Sequence, residues 1–207
     1  GKYDKGMQFD GVDDVVNITS FKGFPAGAKP FSMSLWAYPM RRNNGDLLFH
    51  FGNAASLQDT HFIFRANNNI SFDYYGVANV ADGGVIPANA WSFLTGTYDG
   101  TNMRMYVNGV LKTTSGSVTL NLVNGKAEIG AFPSESIFFN GSIDEVRIWN
   151  RTLSAGEISQ HYYSNLNKFN SSNWSFYSNE SNLSVGTYTY YAYAKDNAGN
   201  GNATEKR

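Results

Sequence analysis

The chain has 207 residues, of which 42% are hydrophobic and 15% aromatic; charged residues make up only 16%, and the net charge at pH 7 is -1. That composition suffices for one sizeable core plus a small appendage. A nearly neutral chain without long basic runs excludes nucleic acid as an expected partner. No apolar stretch reaches the length that spans a bilayer, and the absence of cysteine excludes disulfides and thiol nucleophiles.

Short aromatic and β-branched runs, separated by Gly, Asn, Asp and Pro clusters, predict a series of β-strands. The predicted strands cover residues 31–39, 46–52, 61–66, 70–76, 91–100, 103–109, 110–115 and 126–131. Asn108 and Gly109 both tolerate positive φ, so they predict a tight hairpin between two of these strands. Many strands at near-even spacing indicate an all-β sandwich or barrel.

One short helix is predicted near residues 154–163. Ser154 and Glu157, three positions later, form a capping-box pattern. Leu153 and Ile158 have the spacing of the hydrophobic staple that often accompanies such a box. The pattern therefore predicts that the helix begins directly after the last strand.

The composition changes near Leu166, where a polar, linker-like stretch begins. Beyond it, NWSFYSNES and GTYTYYAYAKDNAGN predict two strands around a turn, and two strands alone are only marginally stable. We therefore predict a main domain over residues 1–165 and a linker with a small β appendage over residues 166–207. Since the chain begins inside a strand-like stretch and shows no signal peptide, we interpret it as a fragment of a longer protein.

Asparagine is unusually frequent, with 24 residues, and many stand in the N-x-S/T pattern of glycosylation acceptors. The composition alone would give roughly four such sequons. The sequence has nine: Asn17, Asn69, Asn140, Asn150, Asn170, Asn173, Asn179, Asn182 and Asn202. One interpretation is accident in a chain rich in Asn and Ser; the other, which we favour, is a secreted, glycosylated surface protein.

The stretch GSIDEVRIWNRTLS contains two adjacent acids, Asp144 and Glu145. A retaining glycosidase needs two carboxyl groups about 5 Å apart that face one substrate. Neighbours on a regular strand point to opposite faces of the sheet, so these two acids are not expected to form such a pair. The same alternation would put Glu145 and Arg147 on one face and Asp144 on the other. No H-E-x-x-H or G-x-S-x-G motif is present, and we expect no catalytic activity.

Four separated motifs, in order, carry a resemblance to a known family. They are GKYDKGMQFDGVDDVVNI, FSMSLWAYP, WSFLTGTYDGTNMRMYVNGVLKTT and GSIDEVRIWNRTLSAGEI. Residues 1–165 resemble the concanavalin A-like, laminin G-type domains of bacterial and archaeal surface proteins. The resemblance implies an all-β jelly-roll sandwich of two antiparallel sheets and a carbohydrate-binding or adhesive function. The tail resembles the immunoglobulin-like repeat that often follows this domain in archaeal surface proteins, here in truncated form.

The same resemblance implies a structural calcium ion, because many such domains hold one. Related laminarinase-type enzymes use an acid in the final strand together with oxygens near the first strand. Asp144 matches that acid, and Asp10 and Asp13 lie in the N-terminal acidic turn, so we predict calcium ligands at Asp10, Asp13 and Asp144. The alternative makes Asp10 and Asp13 turn residues that bond their own backbone, and Asp144 an ion-pair partner of a cation such as Arg147. The E-x-D-x-x-E pattern of the laminarinase-type catalytic strand is absent.

Alternation along the middle strands separates a phenylalanine series, which we assign to the core, from a polar series on the opposite face. A sugar site combines an aromatic ring with planar polar groups. The predicted ligand-binding residues are His50, His61, Arg65, Asp73 and Tyr75. In this interpretation Leu48 shares the face of His50. The alternative is that these side chains are merely solvated or make ordinary hydrogen bonds.

Together these features predict a non-catalytic carbohydrate-binding or adhesion module of a secreted cell-surface protein. Its expected partners are glycans or a cell-surface protein, its expected location is extracellular, and no membrane insertion of this fragment is expected. The alternative is a structural subunit or spacer of an extracellular filament, sheath or stalk, without sugar binding. In that case the C-terminal β segment would support self-assembly by strand addition.

Overall fold

The structure is a computed structural model of the chain. It describes residues 1–3, 5–18, 23–76, 81–132, 136–168, 174–178, 183–195 and 200–206. The chain divides into two compact units, Gly1–Asn165 and Leu166–Arg207. Among the described residues, none of the helices combines the length and apolar character needed to cross a membrane.

Two six-stranded antiparallel sheets build the N-terminal unit. The first sheet has the spatial order β1 (Met7–Asp10), β14 (Asn140–Trp149), β3 (Phe31–Pro39), β8 (Ser92–Tyr98), β9 (Met103–Val107) and β10 (Val110–Thr114). The second sheet has the order β2 (Val16–Ile18), β11 (Lys126–Ile129), β4 (Leu47–Gly52), β5 (Asp59–Phe64), β6 (Asn69–Asp73) and β7 (Ala81–Val85). A two-stranded sheet of β12 (Ala131–Phe132) and β13 (Ile137–Phe138) follows.

This arrangement confirms the predicted jelly-roll sandwich. The first and last strands of the unit are neighbours, since Met7 pairs with Ile143 in the antiparallel register. The predicted hairpin turn is present: Asn108 and Gly109 have φ values of 52° and 79°, as a turn between right-twisted strands requires. Predicted and observed strand ends coincide or differ by up to three residues, because side-chain pattern alone does not fix where a ladder stops.

The core lies between the two sheets and is largely aromatic. The predicted phenylalanine series is confirmed as core by Phe49, Phe51, Phe62, Phe64 and Phe72. Each such side chain contributes about 1.5–3 kcal/mol through burial. Gly96 of β8 leaves room for the Phe72 ring, because a Cβ atom at this position would stand 2.6 Å from it.

The predicted helix is confirmed as α1, Ala155–Tyr163. Ser154 caps it: its hydroxyl accepts from the Glu157 backbone N–H, and the Glu157 carboxylate accepts from the Ser154 backbone N–H. Leu153 and Ile158 are both buried in a cluster with Trp36, on the outer face of the first sheet. The helix therefore covers one end of that face.

A β-bulge in β14 overturns the predicted alternation around Asp144 and Glu145. Asp144 pairs with Trp36, and the next paired residue, Arg147, pairs with Ser34. Strand β14 therefore has one residue more than β3 between these two pairs. Glu145 takes φ 53° at this bulge and forms an ion pair with Arg147. An extra residue in one strand shifts every later side chain to the other face. The inward-facing residues are consequently Ile143, Val146 and Ile148.

The described residues of the C-terminal unit include two separate hairpin-like pairs. Strand β15 (Ser164–Lys168), which begins at the end of the first unit, pairs with β16 (Trp174–Ser178), and β17 (Tyr193–Lys195) pairs with β18 (Gly201–Ala203). The prediction that the two aromatic stretches pair with each other is therefore wrong. Each stretch pairs with its nearest neighbour along the chain, since closing a short loop costs less entropy. The immunoglobulin-like character of this unit stays a prediction.

Candidate functional site

A row of four buried polar residues crosses the outer face of the second sheet. In the register of adjacent strands, Glu128 of β11 pairs with His50 of β4, His50 pairs with His61 of β5, and His61 pairs with Asp73 of β6. We call these four residues the polar row. Buried polar groups require partners, and each member of the row has a specific one.

His50 is bound to Glu128. Its Nε2 lies 2.7 Å from the carboxylate, and both side chains are buried. Phe132 covers the imidazole with a ring-centroid distance of 4.6 Å. Burial lowers the pKa of His50 below its usual value, although Glu128 opposes that shift. We therefore assign His50 as a neutral ring whose Nε2–H donates to Glu128.

His61 is held by a different carboxylate, that of Asp59. The His61 Nδ1 lies 3.0 Å from one Asp59 oxygen, and the other oxygen accepts from the Tyr75 backbone N–H at 2.6 Å. In the tautomer that donates Nδ1–H to Asp59, the other ring nitrogen of His61, Nε2, is a hydrogen-bond acceptor. Asp59 thereby fixes both the imidazole and the chain segment that carries Tyr75.

Arg65 and Asp73 form an ion pair at the end of the row. The Asp73 side chain is fully buried, whereas the Arg65 side chain is one-third exposed. Asp73 also accepts from the Tyr74 backbone N–H at 2.9 Å. Burial lowers the pKa of Arg65, but an arginine stays charged at any physiological pH. The ion pair thus compensates the buried carboxylate, and the Nε and Nη2 atoms of the guanidinium are themselves buried.

A pocket of about 220 Å³ opens beside this row. Its polar lining includes His61, Arg65 and Tyr75, and the Tyr75 side chain is 40% exposed. Its apolar lining includes Leu47, Ile63, Phe132 and Ile137. A concave surface with a few polar groups on one side and apolar groups on the other is the usual form of a small-ligand site.

The apolar wall of the pocket exists because of a second β-bulge. The register between β4 and β5 shifts between Leu47 and Phe49, which turns Leu47 outward and places Leu48 in the main core. The prediction that Leu48 shares the face of His50 is therefore wrong. Leu47 instead joins Ile63 and Phe132 in a small outer cluster. Nothing in the alternation of LLFHF signals this bulge.

The structure brings all five predicted ligand-binding residues to one region but gives them different positions. His61, Arg65 and Tyr75 line the pocket, whereas His50 and Asp73 are buried in the polar row beside it. We therefore treat His50 and Asp73 as supporting residues. The sequence reasoning missed Glu128, because its role depends on cross-strand register. It also missed Asp59, although Asp59 stands two residues before His61 in β5 and alternation places both on one face.

The predicted calcium ligands Asp10 and Asp13 lie together with their neighbour Asp14 in the N-terminal turn. Carboxylate oxygens of Asp10, Asp13 and Asp14 lie within 4.8 Å of one another, and all three residues are exposed. Asp10 accepts from the Val12 backbone N–H at 2.7 Å, and Asp14 accepts from the Asp10 backbone N–H at 2.9 Å. These bonds match the turn interpretation, and the remaining carboxylate lone pairs still fit a calcium ion, which prefers oxygen ligands.

Asp144 does not join that group. Asp10 pairs with Asn140, four positions before Asp144 and thus about 13 Å away along the strand. The Asp144 carboxylate accepts instead from the backbone N–H groups of Lys2 and Glu145, both at 2.8 Å. The alternative partner considered for Asp144, Arg147, is paired with Glu145. A calcium site that uses Asp10 and Asp144 together does not fit this geometry.

The sequons fall into three groups. Asn17, Asn150 and Asn202 are exposed. Asn69 donates its amide N–H groups to both oxygens of Asp82, at 2.8 and 3.0 Å, and Asn140 donates to the Asp10 carbonyl at 2.5 Å. The four sequons outside the described residues are Asn170, Asn173, Asn179 and Asn182.

Comparison with protein families gives one match that covers more than half the chain. Residues 10–159 match the family described as the concanavalin A-like lectin/glucanases superfamily. A search of curated proteins finds no match to this chain. The family match thus spans nearly all of the N-terminal unit.

Solved structures share the same fold. Domain 4 of a GH43 extracellular arabinanase from Geobacillus stearothermophilus, solved with arabinotriose, has a TM-score of 0.61 and 21% identity, covering 77% of each chain. The CBM40 of a Ruminococcus gnavus IT-sialidase, bound to α2,3-sialyllactose, has a TM-score of 0.61 and 12% identity, covering 75% of this chain and 95% of that one. A heptameric SAP-like pentraxin from Limulus polyphemus has a TM-score of 0.59 and 17% identity, covering 75% and 80%. At these identities the likeness establishes the fold alone.

Proposed function

Because this chain belongs to the concanavalin A-like lectin/glucanases superfamily, we propose that it is a non-catalytic carbohydrate-binding module of an extracellular surface protein. The proposed site is the pocket on the outer face of the second sheet. The observation that carries the proposal is the convergence of His61, Arg65 and Tyr75 on one pocket with an apolar wall.

The chemistry of these groups suits a sugar. The Arg65 guanidinium is a hydrogen-bond donor and the His61 Nε2 an acceptor, so together they can bind hydroxyl groups in both roles. The exposed Tyr75 ring offers a flat apolar surface for the C–H face of a sugar ring. Their support is rigid, because Asp59 holds both His61 and the backbone of Tyr75.

The relatives support the same class of ligand. The arabinanase domain was solved with arabinotriose, and the sialidase CBM40 was solved with sialyllactose. The similarity in fold does not indicate that this chain binds either of these two sugars. These structures support the proposal because, in both, a domain of this fold within a larger enzyme holds a glycan.

A glycan array probed with the glycan-free protein tests the proposal. We expect binding to a restricted set of glycans, at least tenfold weaker for Tyr75→Ala and for Arg65→Ala. Lys112, an exposed cation on β10 of the other sheet, provides the control Lys112→Ala, which should bind as the parent does. Arg65→Ala leaves the buried Asp73 without its cation, so circular dichroism must first establish that this variant folds. Tyr75→Ala removes an exposed side chain and leaves no buried charge unpaired. A blank array, or binding unchanged in folded Tyr75→Ala and Arg65→Ala, would refute the site.

Extracellular location and an adhesive role form a finer part of this proposal. Nine sequons support them, and three of these are exposed in the described residues. A glycan-binding module on a cell surface would mediate contact with glycans or with glycosylated surface proteins. Immunodetection on intact cells of the source, before and after protease treatment, distinguishes surface display from an internal location.

A second proposal, self-assembly through the C-terminal unit, draws support from its exposed aromatic side chains. Tyr190, Tyr191 and Tyr193 are 67%, 57% and 62% exposed, and exposed apolar groups in proximity favour association. Light scattering across a concentration series tests it. An increase in mass that Tyr190→Ser and Tyr191→Ser abolish would support assembly; a constant monomer mass would exclude it.

A further inference from the structure

The size of the pocket restricts how much of a glycan it can hold. Sites for drug-sized ligands enclose about 300–1,000 Å³, whereas this pocket encloses about 220 Å³. It therefore accommodates a single sugar ring, and further residues of a glycan would lie outside it. This step rests on the proposed function, since it assumes that the ligand is a sugar.

The apolar wall restricts which ring fits. Leu47, Ile63 and Phe132 are buried in the outer cluster, and Ile137 packs against it. A hydroxymethyl group placed against these side chains would lose its hydrogen bonds to water without replacement. A methyl group in the same place gains burial instead. The wall thus favours a sugar that carries a methyl substituent.

The charges around the pocket restrict the ligand further. In the described part of its lining the cation is Arg65, and Arg65 is already paired with Asp73. Two further buried carboxylates, Asp59 and Glu128, lie on the same face. An acidic sugar would therefore meet a compensated cation with buried carboxylates behind it, and like charges disfavour one another. The site is suited to a neutral ligand.

We infer that the pocket binds the terminal residue of a glycan as a neutral sugar ring bearing a methyl group. Two sugar classes carry that group: the 6-deoxyhexoses on C6 and the N-acetylhexosamines on the acetamide. The methyl group enters the Leu47–Ile63–Phe132–Ile137 wall, while Arg65 and the His61 Nε2 bind ring hydroxyls. Tyr75 covers the open side.

Calorimetry with matched free sugars tests this inference. The first arm pairs L-fucose with L-galactose, L-rhamnose with L-mannose, and 6-deoxy-D-glucose with D-glucose. The second arm pairs N-acetyl-D-glucosamine and N-acetyl-D-galactosamine with their parent hexoses. D-glucuronate and D-galacturonate serve as acidic sugars that test the preference for a neutral ligand. We expect the best methyl-bearing sugar to bind at least about tenfold more tightly than its partner and more tightly than either uronate. Saturation-transfer NMR should place the strongest signal on its methyl protons.

Two variants connect the preference to the wall. Ile137→Ser, at a half-buried position, should reduce the methyl preference by about fourfold or more, whereas Tyr75→Ala should weaken both members of a pair together. Equal affinities within every pair, or tighter uronate binding, would overturn the inference. A positive array whose bound glycans lack terminal methyl-bearing sugars would overturn it while leaving the proposed function in place. If the array and every sugar in the panel are blank, both are overturned.

Discussion

His50 and His61 are cross-strand neighbours on β4 and β5, yet each uses a different ring nitrogen to contact its carboxylate. His50 uses Nε2 to contact Glu128 at 2.7 Å, whereas His61 uses Nδ1 to contact Asp59 at 3.0 Å. The first ring is covered by Phe132, and the second lines the pocket. One pair of cross-strand neighbours therefore supplies a buried structural histidine and a histidine that can contact a ligand.

Stability should decrease as the solution becomes mildly acidic. Burial lowers the folded-state pKa of His50 and of His161 below 6.5, so the unfolded chain binds protons at these sites more readily. Their contribution is fully present above pH 6.5 and is lost as the pH falls below it. The loss is at most about 1.4 kcal/mol per pH unit for each histidine.

Urea unfolding between pH 7.5 and 5 measures this dependence. His50→Gln keeps a donor for Glu128 but does not titrate, so its free energy of unfolding should vary less with pH than that of the parent. His161→Gln should independently reduce the dependence of the free energy of unfolding on pH. Parallel pH curves for the parent and His50→Gln would contradict the prediction.

Two glycines should respond oppositely to alanine. Gly96→Ala places a Cβ atom against the Phe72 ring, and overpacking of this kind costs about 1–3 kcal/mol. Gly156→Ala, in the first turn of α1, meets no atom closer than 4.0 Å and should stabilise by a few tenths to about 1 kcal/mol. Chemical unfolding of both variants measures the difference. A Gly96→Ala protein as stable as the parent would mean that the sheets are packed less closely at this point.

The capping box should hold Glu157 ionised in strong acid. Bonds from Arg151 and from Ser154 lower the pKa of Glu157 to about 2. The stabilisation is present above the unfolded pKa, near 4.5, and is lost as the pH falls through the folded value. Carbon-detected NMR titration of the carboxyl group should give a midpoint near 2. Ser154→Ala should raise that midpoint, and Ser159→Ala in the same helix should not; a parent midpoint near 4.5 would exclude the box in solution.

Calcium, if it binds, should bind at the N-terminal turn without Asp144. Asp10, Asp13 and Asp14 share that turn, whereas Asp144 is engaged by backbone N–H groups. Calorimetric titration of chelator-treated protein should then give heat that Asp13→Asn together with Asp14→Asn removes. Asp144→Asn should retain it. Absence of heat and of any shift in Tm would refute calcium binding. Loss of binding in Asp144→Asn would instead support a site that combines Asp144 with the acids of the N-terminal turn.

Glycosylation should discriminate between exposed and engaged sequons. A glycan on Asn69 would leave one N–H where Asp82 now accepts two. We therefore expect occupancy at Asn17 and Asn150 to exceed that at Asn69 in the folded protein. Peptide mass spectrometry after expression in a host with an oligosaccharyltransferase measures each site. Full occupancy of Asn69 would contradict the expectation.

The sequence by itself determined the elements that depend on local patterns. Alternation assigned the phenylalanines to the core, Asn108–Gly109 marked the hairpin, and Ser154 with Glu157 marked the start of the helix. These signals work because strand period, turn conformation and helix capping are properties of neighbouring residues.

Only the tertiary structure decided what depends on register. The bulges at Leu47 and at Glu145 change which side chains face outward, and no local pattern encodes an extra residue in one strand of a pair. The partner of His50, Glu128, is 78 residues away in the sequence, whereas the partner of His61, Asp59, is a neighbour on the same strand. The sequence thus identified a polar face, and cross-strand pairing decided which of its residues are buried supports and which line the pocket.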